Sequence, residues 1–265
     1  MMSFASFSHH LSKEKVTKNL LSQDSGDFIS QNPQFKRDGA RAAVLVPLFF
    51  KQNQLHVLLT RRSENLRTAP GEVSFPGGKR DPEDKDDIET ALRETQEEIG
   101  IPPQDVQVVS RLPPMFSINS LIVIPVVGFV PDDCLTRVVI NQQEVQQVFS
   151  VPVAMFLSKK YHHSTFMNWP GRFEYIHFFQ RRHGGKKLVP VIFGLTAYIC
   201  ISVACVIYKK DPGYQMETTF NREDLEVGFV VSFSVLCIST YMDICGERRR
   251  MSKQLQQQAI QKAKL

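Results

Sequence analysis

The chain has no internal repeat at a fixed period, which excludes a solenoid. It has no Cys-x-x-Cys pair, and its five cysteines (Cys134, Cys200, Cys205, Cys237 and Cys245) are an odd number, four of them in apolar runs. That usage argues against a disulfide frame or a zinc site and fits reduced, buried thiols inside a cell. A compact apolar stretch of the secretory kind is missing near the N-terminus. The first thirteen residues contain four Ser and no acid, in the manner of a mitochondrial transit peptide, but they lack Arg. Excess charge is also missing from the body of the chain. Net charge is +5 over 265 residues, and residues 247–265 alone carry six basic side chains against one acid. No nucleic-acid-binding body is therefore expected, and the basic tail reads as a solvated segment rather than a contact for nucleic acid or lipid.

What is present is ordinary globular material. Apolar residues make up 42% and charged residues 22%, which excludes a disordered chain, a collagen and a coiled coil. At a prior of ~150 residues per domain, one core with extensions is expected. Residues 1–39 are polar and weakly periodic, so they read as a flexible leader with room for one short helix. Residues 42–50 (AAVLVPLFF) and 55–60 (LHVLLT) flank a short polar link and predict a β-hairpin. Residues 68–78 (TAPGEVSFPGG) predict a loop with a short strand at 72–75, and residues 81–87 an acidic loop. A helix is predicted over Asp87–Ile99, ended by Gly100 and the following Pro102-Pro103. Further strands are expected at 106–112, 121–130 and 173–179. Strands before and after a helix, with another helix to come, indicate an α/β or α+β sandwich.

Residues 189–208 (VPVIFGLTAYICISVACVIY) are long enough to span a bilayer, at 20 residues without charge. Pro190, Gly194 and Thr196 favour another reading: a strand over 188–193, a Gly break, then a buried helix over 195–208. Residues 227–239 are a shorter apolar run, expected to form a helix packed on the core. A membrane hairpin made of both runs is the less favoured alternative.

The residues that carry chemistry lie between Gly77 and Ile101. Glu94, Glu97 and Glu98 stand at i, i+3 and i+4 of the predicted helix and share an arc of about 100°. Ile88, Ala91, Leu92, Thr95 and Ile99 form the neighbouring apolar arc. Three carboxylates on one face repel one another, so they suit a site for a cation, and Mg²⁺ takes such hard oxygen ligands and bridges to substrate phosphates. A solvated acidic face is the plainer reading of the triplet alone.

The run Arg93-Glu94-x-x-Glu97-Glu98-x-Gly100 after a Gly-Gly loop resembles the Nudix box of Nudix hydrolases. The family pattern, counted back from Arg93, puts its first Gly at Lys79 and its first Glu at Lys85, so this chain departs there. Gly78 lies one residue early, and Glu83 or Asp84 stands near the missing carboxylate. Thr95 occupies a position where a larger apolar residue is usual. Upstream, Leu58-Leu59-Thr60-x-Arg62-Ser63, Arg67, Gly71 and Phe75-Pro76-Gly77-Gly78 resemble the extra motif of the coenzyme A diphosphatase branch, where the Gly-Gly and the box are offset as here. Residues 144–156 and 192–197 (IFGLTA) also resemble segments of that branch. The likeness covers roughly residues 40–226.

The resemblance implies an α/β fold, the Nudix α/β/α sandwich with a mixed sheet, over residues 40–226, followed by a helical and basic extension over 227–265. It implies metal-dependent cleavage of coenzyme A, and acyl-coenzyme A, to 3′,5′-ADP and 4′-phosphopantetheine. Glu94, Glu97 and Glu98 would hold Mg²⁺ or Mn²⁺, with Glu97 or Glu98 as base and Arg93 orienting the glutamates. Arg62 and Arg67 are planar donors suited to a phosphate-rich ligand, although pairing with Glu64, Glu72 or the box glutamates would also employ them. Gly77 and Gly78 would let backbone approach phosphate or metal. The alternatives are a Nudix hydrolase of another nucleoside diphosphate, such as NADH or ADP-ribose, and an inactive scaffold that binds coenzyme A. Ala263-Lys264-Leu265 resembles the Ser-Lys-Leu peroxisomal address read by an import receptor, so a peroxisomal location is expected.

Overall fold

The computed structural model describes residues 11–26, 41–116, 121–169, 172–180, 182–183 and 187–216. The helix expected at 227–239, the basic extension, Cys237, Cys245 and Ala263-Lys264-Leu265 lie outside these residues. The described elements run α1 (Lys13–Leu21), β1 (Arg41–Lys51), β2 (Gln54–Arg62), β3 (Val73–Ser74), β4 (Gly77–Lys79), α2 (Asp87–Ile99), β5 (Gln107–Arg111), β6 (Met115–Phe116) and β7 (Ile122–Phe129). Then follow α3 (Cys134–Arg137), β8 (Val145–Pro152), β9 (His162–Trp169), β10 (Arg172–Phe179), β11 (Arg182–His183), β12 (Lys187–Leu188), β13 (Ile192–Phe193) and α4 (Gly194–Tyr208).

The main sheet has the order β3-β2-β1-β7-β5, with β4 joined to β1, β6 to β7 and β8 to β2. It is mixed, because β1 and β7 run parallel while β1 and β2 run antiparallel. The predicted hairpin forms with a tighter link than expected. Lys51 pairs with Gln54, so only Gln52 and Asn53 make the turn, both at positive φ (51° and 59°). Such a two-residue turn matches the twist of its strands. A second sheet has the order β13-β10-β9.

Alternation along β1 explains the layering. Ala43 and Leu45 face α2 and pack with Ala91, Ile124 and Val126. Val46 and Leu48 face the other way, into a core shared with α1, α4 and the turn Val153–Leu157. Helices therefore cover both sheet faces, as an α/β/α sandwich requires. Each fully buried Leu or Ile in these layers contributes about 1.5–3 kcal/mol of transfer free energy.

Two expectations need correction, and two strands were not foreseen. The flexible leader is not detached along its whole length: Val16 and Leu20, one helical turn apart, are fully buried in the main core, and Asn19 Nδ2 donates to the Ile207 carbonyl at 2.8 Å. The single strand expected over 188–193 is two pieces, β12 and β13, interrupted around Pro190, which lacks a ladder donor. Residues 145–152 and 162–169 are strands that their mixed polar composition did not announce. Helix α4 follows the Gly break as predicted, with Gly194 at φ +62°. No helix among the described residues is long and apolar enough to cross a membrane.

Candidate active site

Helix α2 presents the candidate residues. Asp86 caps its start by accepting from the Glu89 N–H at 2.9 Å, and Gly100 ends it at φ +73°, donating to the Gln96 carbonyl at 3.0 Å. Both ends coincide with the predicted bounds. The unusual Thr95 is wholly buried and returns its hydroxyl to the Ala91 carbonyl at 2.6 Å, which removes the penalty of an unpaired polar atom in the core.

The glycine pair meets the helix from β4. The Gly77 N–H donates to Glu98 Oε2 at 3.3 Å. A methyl group on Gly78 would overlap the Glu94 carboxylate, and one on Gly77 would overlap the Ala43 carbonyl oxygen. Gly77 and Gly78 thus let backbone approach the glutamates themselves.

Arg93 organises the other side. Its Nε and Nη2 each donate to Asp84 at 3.0 Å, while Nη1 donates to Glu94 at 3.0 Å and to Glu97 at 3.3 Å. Asp84 also accepts from Thr90 Oγ1 at 2.8 Å and from the Asp81 N–H at 2.9 Å. These donors hold Asp84 well below the usual carboxylate range, with the Arg93 hydrogen bonds first, and Asp84 in turn raises Arg93. Of the two carboxylates near the position that Lys85 occupies, Asp84 is turned inward to Arg93 while Glu83 is exposed.

The three glutamates differ. The Glu97 side chain is 54% exposed, that of Glu94 is 16% exposed, and Glu98 is buried at 3%. Burial raises Glu94 and pushes Glu98 up to about 8, against the lowering effect of Arg62 and the Gly77 N–H on Glu98. Glu144 adds repulsion to both. Arg62 ends β2 just past a register shift, its charge acts on Glu98, and its Nε has no hydrogen-bond partner among the described residues. Arg67 is exposed on the loop between β2 and β3.

Glu144 was not singled out from the sequence. The Ser63 N–H donates to its carbonyl at 2.8 Å, and the neighbouring Asn141 N–H donates to the Glu98 carbonyl at 2.9 Å. Its only sequence signal was its place in the segment 144–156, because nothing in its spacing from the box indicates that strand pairing brings it there. Among the described residues, no three His, Cys, Asp or Glu side chains form a ready-made metal cage. Arg93 Nη1 and the Gly77 N–H occupy the carboxylate oxygens instead. The donor set nonetheless fits a hard divalent cation: buried or half-buried carboxylate oxygens that repel one another gain from a shared positive charge.

Fold and site together define an α/β/α sandwich with carboxylates gathered on one helix. Residues 39–170 match the model of the NUDIX domain. The chain is 43% identical over 202 residues to Nudix hydrolase 15, mitochondrial, of Arabidopsis thaliana, covering 76% of this chain and 70% of that protein. It is 39% identical over 183 residues to the peroxisomal coenzyme A diphosphatase NUDT7 of Mus musculus, covering 69% and 76%. It is also 43% identical over 175 residues to Nudix hydrolase 22, chloroplastic, of Arabidopsis thaliana, covering 66% and 57%. The chain belongs to the Nudix hydrolase family.

Proposed function

We propose that this Nudix hydrolase cleaves the diphosphate of coenzyme A, and of acyl-coenzyme A, to 3′,5′-ADP and 4′-phosphopantetheine or its acyl form. The observation that carries the hydrolytic reading is the meeting of Glu94 and Glu98 with Gly78 and Gly77, beside an arginine fixed by Asp84. The likeness to NUDT7, whose name states a coenzyme A diphosphatase, and the Leu58–Gly78 motif support the substrate.

In this reading Glu94, Glu97 and Glu98 hold Mg²⁺ or Mn²⁺. The ion, when bound, neutralises phosphate charge and lowers the pKa of the attacking water. Glu97 or Glu98 serves as proton acceptor in this reading. Arg93 orients Glu94 and Glu97 without touching substrate. Arg62 and Arg67 bind phosphate oxygens, and Gly77 and Gly78 keep the approach to the glutamates open. A peroxisomal location, through an import receptor that reads Ala263-Lys264-Leu265, is part of the same proposal. The relatives' names include mitochondrial, peroxisomal and chloroplastic, so location among them varies.

Purified protein and its Glu98→Gln variant, given Mg²⁺ and equal coenzyme A, NADH and ADP-ribose, test this by mass spectrometry of the products. The expected result is 3′,5′-ADP and 4′-phosphopantetheine from the unsubstituted protein alone. Cleavage of NADH or ADP-ribose in preference would keep the hydrolase and discard the substrate. Equal turnover by Glu98→Gln would remove Glu98 from the mechanism.

A further inference from the structure

Two threonines of the sequence motifs have no role above: Thr60 of Leu58-Leu59-Thr60 and Thr196 of the segment 192–197. The fold brings both to one short stretch of chain, which leaves the turn at Gly71, forms β3 and ends at the glycine pair. Gly71 and Gly77 both have positive φ, +71° and +149°, so the stretch has conformational freedom at each end. β3 itself is two residues long and lies at the end of the sheet order, paired with β2. So short a ladder at an edge is a weak anchor.

Four carbonyls along the stretch are held from different elements. The Arg62 N–H donates to the Glu72 carbonyl at 2.9 Å, so the next carbonyl, that of Val73, points away from β2, as alternate groups of an edge strand do. Thr196 Oγ1, in the first turn of α4, donates to it at 3.0 Å. Thr60 Oγ1, wholly buried on β2, donates to the Ser74 carbonyl at 3.2 Å and lies 2.9 Å from the Ser74 hydroxyl. The Leu45 N–H of β1 donates to the Pro76 carbonyl at 2.9 Å. The next N–H along the chain, that of Gly77, is the one that reaches Glu98.

We infer that Thr196 and Thr60 are positioning residues for the glycine pair. Their hydroxyls grip β3 from its two flanks, so the backbone leaves Pro76 at the height that sets Gly77 against Glu98 and Gly78 against Glu94. Helix α4, which packs on the sheet face opposite α2, acts on the site through this contact. The inference rests on the reading that the close approach of Gly77 and Gly78 to the glutamates serves hydrolysis.

The test joins hydrogen–deuterium exchange of the purified full chain, read by mass spectrometry, to steady-state cleavage of coenzyme A in Mg²⁺. Thr196→Val keeps the shape of the side chain and removes its donor. It is expected to speed amide exchange across residues 73–79 about fivefold, as for one lost hydrogen bond, while α2 stays as protected as in the parent. It is expected to lower kcat about 10-fold with KM little changed, short of the ~10²-fold cost of a 1 Å displacement. Thr196→Ser should restore both. Ser202→Ala removes another hydroxyl of α4, one that donates to the Tyr198 carbonyl at 3.0 Å, and should alter neither. Unchanged exchange or unchanged kcat in a folded Thr196→Val protein overturns the inference. So does an equal loss in Ser202→Ala, or no rescue by Thr196→Ser. Should Thr196→Val fail to fold, Thr60→Val takes its place with the same expectations, since Val suits a strand. If the parent leaves coenzyme A intact, the substrate reading falls, and exchange across residues 73–79 still decides for or against the two threonines.

Discussion

The Asp84–Arg93 pair beside α2 and the His162–His177 pair of the β9–β10 hairpin are both withdrawn from water, yet they meet the cost of burial in opposite ways. Asp84 and Arg93 keep their charges and satisfy them with a bidentate ion pair. The histidines lose theirs. His162 Nε2 lies 2.8 Å from His177 Nδ1, the Tyr214 ring stacks on His162 at 3.6 Å, and desolvation holds both imidazoles below the ordinary histidine range. His177 Nε2 has no hydrogen-bond partner among the described residues. The difference teaches where charge is needed. It is kept where carboxylates must be arranged, and discarded where packing alone is required.

The sharpest way to separate the two regions is Glu98→Gln. Turnover should fall on the order of 10³-fold or more, since a proton acceptor and a metal oxygen are lost together, while the thermal unfolding midpoint stays close to that of the parent. Substitution at His177 should leave turnover intact; equal losses at both positions would erase the distinction.

Arg93→Leu attacks the paired charge. It leaves Asp84 buried without its partner, and a loss of about 3 kcal/mol is expected in urea unfolding, as for other broken ion pairs withdrawn from solvent. A loss under 1 kcal/mol would place the pair among weak surface bridges.

Gly78→Ala probes the close approach to Glu94. The added methyl group must displace that carboxylate, and a shift of about 1 Å is worth roughly 10²-fold in kcat. Unchanged kcat would mean that the position of Glu94 is not critical.

The histidine pair supplies the smallest effect. Its folded pKa values lie below 6.5, so the unfolded chain binds more protons as pH falls through that value. The stability is complete above about pH 6.5 and declines below it, by at most ~1.4 kcal/mol per pH unit for each histidine. His177→Phe should flatten part of that decline in urea titrations between pH 6.5 and 5. An identical slope in parent and variant would show that the carboxylates alone set the acid limit.

Much of this arrangement was legible beforehand, and the reason is locality. Helix α2 has the predicted bounds because Gly100 and the following prolines act within a turn of its end. The hairpin of β1 and β2 was visible because two apolar runs flank a short polar link. Strands β8 and β9 were not visible, because Val145–Pro152 and His162–Trp169 owe their conformation to partners in β2 and β10. The docking of α1 rests on an asparagine 188 residues from the carbonyl it binds.

By itself, the sequence determined which side chains share one face of α2 and that a glycine pair precedes them, since helical periodicity and turn chemistry are short-range. Tertiary structure alone decided that Gly77 and Gly78 touch the glutamates. It also decided that Asp84 rather than Glu83 serves Arg93, that Glu98 is buried while Glu97 is not, and that Glu144 adds its charge from the turn before β8. Each of these depends on which surfaces the sheet brings into contact, and burial then sets the electrostatics.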